Sequence, residues 1–224
     1  MTSTEAATPL ATATPGLRPW LVPAGLVLLS LVPVAAGAAR LGELASDPAV
    51  TAANARFVEA PVPVVIHIVS VTVYSLVGAF QFAPELRRRH PRYHRFAGRV
   101  LVPAGLLTAA SGIWMTLTYD LPAKDTPVVD GARLVVGTAM AACLVLGVAA
   151  ILRGDVTHHR AWMARAYALA MGAGTQAVII APFTLATGTE PPVRNTVLML
   201  LAWVLNVAVV EVVLRRRGQL GARR

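Results

Sequence analysis

Two basic, histidine-bearing segments hold the side chains of this sequence best suited to ligand chemistry. The first, Gln81 to Arg99, reads QFAPELRRRHPRYHRFAGR and packs six arginines and two histidines between apolar stretches. The second, Arg153 to Leu169, reads RGDVTHHRAWMARAYAL and also opens an apolar helix. Pro91 suits the first position of a helix, and Asp155 or Thr157 suits an N-cap. His94 and His159 therefore fall about one turn into their helices, at one membrane depth. Gly98 leaves a bare patch one turn after His94, and Trp162 and Met163 follow His159 on its own face. One reading makes His94 and His159 a ligand pair for haem b, with Gly98 and Trp162 against the macrocycle, since histidine is a regular axial ligand. The other makes the same residues interfacial. In it Arg87, Arg88, Arg89, Arg95, Arg99, Arg160 and Arg165 touch lipid phosphates, and Trp162 is an aromatic anchor.

A third histidine, His67, heads a polar stripe of Ser70, Tyr74, Gly78 and Gln81, whose steps of three and four put them on one helical face. Such a stripe belongs against protein, and Val65, Val69 and Thr72 belong against lipid. At 1.5 Å per residue His67 lies roughly 10 Å inside the hydrocarbon boundary, a depth at which an ionisable group is a functional candidate. It is read as an outer cofactor-binding residue, a proton-handling group, or a neutral imidazole bonded to a neighbouring helix. Catalytic residues are left unassigned, because no HExxH, CxxC, Gly-rich phosphate loop or Ser/His/Asp constellation occurs. The single cysteine, Cys143, sits in an apolar run and gives no thiolate cluster.

The elements that must position these groups are membrane-spanning helices. With 56% hydrophobic residues, 14% charged and a mean hydropathy of +0.62, the class is an all-α polytopic membrane protein. Apolar runs of spanning length lie at Trp20 to Ala39, Ala60 to Ala83, Val100 to Tyr119, Leu134 to Leu152, Ala166 to Thr187 and Asn195 to Leu214. They predict a bundle of six helices over residues 18–217, with a disordered tail over 1–17 and a basic tail over 218–224. The first run also has the shape of a cleaved signal peptide, preceded by Arg18 and ending in small residues. Of the 20 Lys and Arg, fifteen flank one side of the bundle, which reads as cytoplasmic with both termini inside, in the plasma membrane. The net charge of +9 accordingly points to anionic lipid and away from nucleic acid, because the arginines sit at the ends of apolar runs.

Gly98, Gly105 and Gly112 recur every seven residues, and Ala164, Ala168 and Gly172 every four, spacings that permit close helix packing. Tyr74, Gln176 and Asn206 are placed at similar depth for interhelical hydrogen bonds. Glu211 is placed in an intrahelical pair with Arg215.

His67, Gln81, Phe82, Leu86, Arg87, His94, Arg95, Gly98, Arg99, His159, Arg160, Trp162, Met163, Arg165 and Tyr167 to Leu169 together resemble a bacterial membrane-protein family known as domain of unknown function 2306. The resemblance covers about residues 61–169. Where that family usually has an aromatic soon after the GR pair, this chain has Val100 and Leu101. The resemblance implies a polytopic membrane protein and supplies no activity. More loosely, histidines at the ends of packed helices are similar to ascorbate-linked transmembrane b-type cytochromes, which carry ligands for two haems where this chain offers one pair. Three functions stay open: haem-based electron transfer, a non-catalytic protein whose basic loops bind anionic lipid, a partner subunit or a second copy, and proton-coupled small-molecule transport.

Overall fold

A computed structural model describes residues 18–122 and 124–222. The tail over 1–17 and the last two residues of the basic tail lie outside them. The described residues form nine α-helices: α1 (Arg18–Ala45), α2 (Ala55–Glu59), α3 (Pro61–Ala79), α4 (Pro84–Arg89), α5 (Pro91–Thr118), α6 (Pro127–Leu152), α7 (Val156–Ala170), α8 (Gly172–Thr187) and α9 (Pro192–Ala222). A 3-10 turn, Phe80–Phe82, prolongs α3. No strand occurs among the described residues. Six stretches are long and apolar enough to cross a membrane, with α7 and α8 together making the fifth. The fold is the all-α, six-span bundle read from the sequence.

Proline begins α3, α4, α5, α6 and α9, where its missing N–H is one the helix could not have paired and its fixed φ suits the first turn. Two helices start well before their charge-free runs do. α5 begins at Pro91 and α7 at Val156, because arginines and histidines in a first turn extend their stems toward headgroups while the backbone is already helical. Asp155 caps α7, its carboxylate accepting from the His158 backbone N–H at 3.0 Å. Gly154 turns the chain ahead of it at φ 79.

Since lipid is as apolar as leucine, the bundle coheres by close packing more than by removal of surface from water. The core packs closely around Tyr74 and Tyr167, whose ring centroids lie 5.7 Å apart. A Cβ at Gly105 would stand 2.7 Å from the Tyr74 ring and 2.8 Å from Leu144. One at Gly78 would stand 2.6 Å from Tyr167. The Tyr167 hydroxyl donates to the Ser75 carbonyl at 2.6 Å, so a phenol is buried with its polar end satisfied.

The fifth span is broken. At Met171 the chain leaves α7, which packs on α6 and α9, and enters α8, which packs chiefly on α1 and α9. Glycines set the new direction. Gly172 lies directly against the Trp203 indole, and Gly174 against the Leu29 carbonyl. α8 is thus drawn toward α1 and α9 and away from the packed core.

Substituting Gly105→Val should force the Tyr74 ring or Leu144 from its place and lower stability by about 1 to 3 kcal/mol. Gly98→Ala, with no atom within 4 Å of its added Cβ, should be near neutral. Thermal unfolding in detergent, compared for the two variants, checks this contrast.

Candidate functional site

The polar stripe of α3 meets α5. Thr108 donates its hydroxyl proton within a pair of short contacts, 3.0 Å to Ser70 Oγ and 2.9 Å to the Ala104 carbonyl. Ser111 donates to the Leu107 carbonyl at 2.6 Å. His67 Nδ1 lies 3.1 Å from both the Thr108 carbonyl and Ser111 Oγ. A carbonyl only accepts, so Nδ1 carries the ring proton and Nε2 is left as a bare acceptor. Gly112 makes the space for this ring, since a Cβ there would sit 3.4 Å from His67 Cε1. Val69, on the other side of α3, is 52% exposed, as the stripe requires.

His67 lines a cavity of about 520 Å³. Its walls come from α3, α5, α6, the end of α7, α8 and α9, with Thr108, Gly112, Met140, Leu169, Gln176 and Trp203 among them. Its volume falls in the range of small-molecule sites. The cavity takes Ala173, Gln176 and Ile180 of its wall from α8. Its mouth lies at the end of the bundle that carries α2 and the chain between α5 and α6, here called the loop face, where Arg56, Tyr119 and Asp125 reach it.

Ion pairs tie the rim together. Arg133 bonds Asp125 at 2.8 Å and Asp130 at 3.1 Å, and Asn195 donates to Asp125 at 3.1 Å. Lys124 pairs with Glu190, which also accepts from Thr184 at 3.1 Å. At this face five Lys and Arg stand with seven Asp and Glu, so the mouth carries no surplus of cations.

The opposite, basic face brings the other histidines together in part. His159 Nδ1 donates to the Gly147 carbonyl of α6 at 2.8 Å, leaving its Nε2 free. His94 is within electrostatic reach of His159, Arg87, Arg160 and Arg95. Gly98 has open space above it. Trp162 and Met163 instead pack on Gly147, and the Arg165 guanidinium lies 4.8 Å from the Trp162 ring centroid. Arg88, Arg95, Arg99 and Arg160 are exposed, and Arg89 pairs with Glu85 at 2.7 Å. His158 bonds the Asp155 carboxylate at 2.6 Å. Among the described residues no group of three or more His, Cys, Asp or Glu gathers that could hold a metal ion by itself.

Two sequence expectations change. Glu211 pairs across helices with Arg165, at 2.6 and 3.1 Å, because α7 and α9 pack side by side at this depth and the planar guanidinium meets both carboxylate oxygens. Tyr74 joins neither Gln176 nor Asn206. Gln176 donates to the Met199 carbonyl at 3.4 Å and Thr175 to Asn206 at 2.9 Å, while Tyr74 packs on Tyr167 and Gly105. The Gln81 and Asn206 amide nitrogens are buried without a partner among the described residues. Sequence reasoning missed the cavity, although glycines at 172 and 174 beside an uncharged run were its signal.

The family described as predicted membrane protein (DUF2306) matches residues 64–214, extending into α9 the resemblance carried by the histidine motifs. No curated protein and no solved structure matches the chain.

The hydrogen bond from Lys124 holds the Glu190 carboxyl below its ordinary value. A carboxylate whose folded value is depressed stabilises fully above its unfolded value, about 4.3 for glutamate, and that stabilisation is lost as pH falls through the folded value. Amide exchange over residues 187–196 should therefore stay protected at about pH 5 and rise only below the usual carboxylate range. In Lys124→Met the rise should move up toward the ordinary glutamate value.

Proposed function

The chain belongs to the DUF2306 family, and we propose that it is a membrane-embedded small-molecule-binding protein that takes its ligand into the loop-face cavity and exchanges a proton with it at His67. The cavity carries this reading, because it is of ligand size and His67, whose Nε2 is the ring's remaining acceptor, lines it among mainly apolar walls. A few placed polar groups in an apolar recess are what orient a small ligand. Thr108 and Ser111 position the ring, and the acceptor takes a hydroxyl or N–H proton from the ligand and returns it. The fifteen-to-five distribution of Lys and Arg supports a cytoplasmic basic face, contact of that face with anionic headgroups, and entry from the outside.

A thiol placed by Val136→Cys, on the cavity wall, in a Cys143→Ala background should react with a membrane-impermeant methanethiosulfonate added to intact cells. Val135→Cys, 68% exposed on the lipid side of the same helix, should not. Reaction of the Val136→Cys thiol in inverted vesicles alone would reverse the orientation and keep the cavity. No reaction from either side would remove the cavity reading.

A second reading belongs to the basic face, favoured by the hydrogen bond from His159 Nδ1 to Gly147. That bond fixes the tautomer and presents Nε2 as an axial ligand requires. His159 and His94 would hold a haem there, which supplies one-electron chemistry when bound. Protein made with ample haem should show reduced-minus-oxidised bands that both His94→Ala and His159→Ala abolish. A spectrum without haem bands disposes of this reading and leaves the basic face to lipid.

A further inference from the structure

We propose that the ligand of the cavity is a neutral lipophile with a hydroxyl head, and that it enters sideways from the bilayer along α8. This inference rests on the cavity reading above. Three observations carry it.

The head follows from the imidazole. His67 commits its Nδ1 proton to the Thr108 carbonyl and Ser111, so its remaining nitrogen accepts and cannot donate without first being protonated. An O–H complements it, whereas a carbonyl or ether oxygen would leave two acceptors facing each other. The walls around the ring are mainly apolar, which favours a hydrocarbon or aromatic body behind that hydroxyl.

Neutrality follows from the rim. Arg133 and Lys124 are already paired with Asp125, Asp130 and Glu190, and acids outnumber cations at this face. A negatively charged ligand would meet a net acidic approach, and the Arg56 guanidinium at the mouth is held by the Asp120 carbonyl and the Phe57 ring. A positively charged one would find the acids already engaged.

The sideways route follows from α8. Ala173, Gln176 and Ile180, which wall the cavity, also line an adjoining groove of about 460 Å³ that continues past Ala177 and Ala181. Ala173 and Ala181 are exposed in the fifth span, so the groove opens on the bundle surface at hydrocarbon depth. Small side chains there leave room for an alkyl chain lying along the helix, which would keep its tail in lipid while its head reached the cavity.

The test uses protection of the Val136→Cys thiol, in full-length protein in nanodiscs, by three redox-inert probes: 4-decylphenol, 4-decylanisole and phenol. The 4-decylphenol should halve the labelling rate at a concentration about tenfold or more below that needed for 4-decylanisole, which lacks the O–H, and for tail-less phenol. Ala177→Phe and Ala181→Phe, both on the groove, should raise that concentration about tenfold for 4-decylphenol and leave phenol unchanged. His67→Leu should erase the preference for phenol over anisole, with a thermal melt confirming that the variant is folded. Equal protection by 4-decylphenol and 4-decylanisole overturns the hydroxyl head. Equal protection by 4-decylphenol and phenol, or no effect of either Phe substitution, overturns the lateral route and leaves the cavity reading standing. A thiol that never reacts removes both.

Discussion

The close approach of α8 to α1 and α9 is the constraint on which the architecture of the cavity depends. Gly172 against Trp203 and Gly174 against Leu29 leave no room for any side chain, and together they fix where the second half of the fifth span runs. The break that allows the turn costs little backbone hydrogen bonding. The Met171 N–H still donates to Tyr167 at 3.0 Å, and its carbonyl accepts from Thr175 at 3.1 Å. A helix can thus change direction inside hydrocarbon without exposing unpaired peptide groups.

The same requirement, that polar groups in lipid find partners within protein, explains the chemistry of the His67 wall. Hydroxyls of Thr108, Ser111 and Thr116 bond back to carbonyls four residues earlier on their own helix. They are satisfied locally and remain available as acceptors. The imidazole, which lines the cavity, then has a carbonyl and a hydroxyl oxygen to satisfy one nitrogen. At the far end of the bundle, the Gly147 carbonyl does for His159 what Thr108 does for His67. Two histidines on different helices are thereby held in the same tautomer by main chain.

Much of this was legible in the sequence because it depends on local order. Run lengths gave the six spans, Pro91 and a cap at Asp155 or Thr157 located the helix starts that place His94 and His159 about one turn in, and the steps from His67 to Gln81 placed that stripe against protein. What was not legible depends on how helices lie against one another. Glu211 has Arg215 one turn away, yet it pairs with Arg165, because the proximity of α7 and α9 offers two well-aligned bonds in place of one flexible pair. The break at Met171 lies inside an unbroken apolar run, and the cavity follows from that break. No periodicity within a single helix encodes a space between several.

The depth of His67 has an electrical consequence. Its ring stands about 10 Å below the loop-face boundary by helix rise, which is roughly a third of the hydrocarbon thickness. A proton arriving there through the cavity crosses that fraction of the transmembrane voltage. At about 2.3 kcal/mol per elementary charge per 100 mV for the whole membrane, the step is worth about 0.8 kcal/mol per 100 mV. With the proton exchange proposed for His67, the occupancy of the imidazole would be coupled to the membrane voltage as well as to the acidity at the loop face.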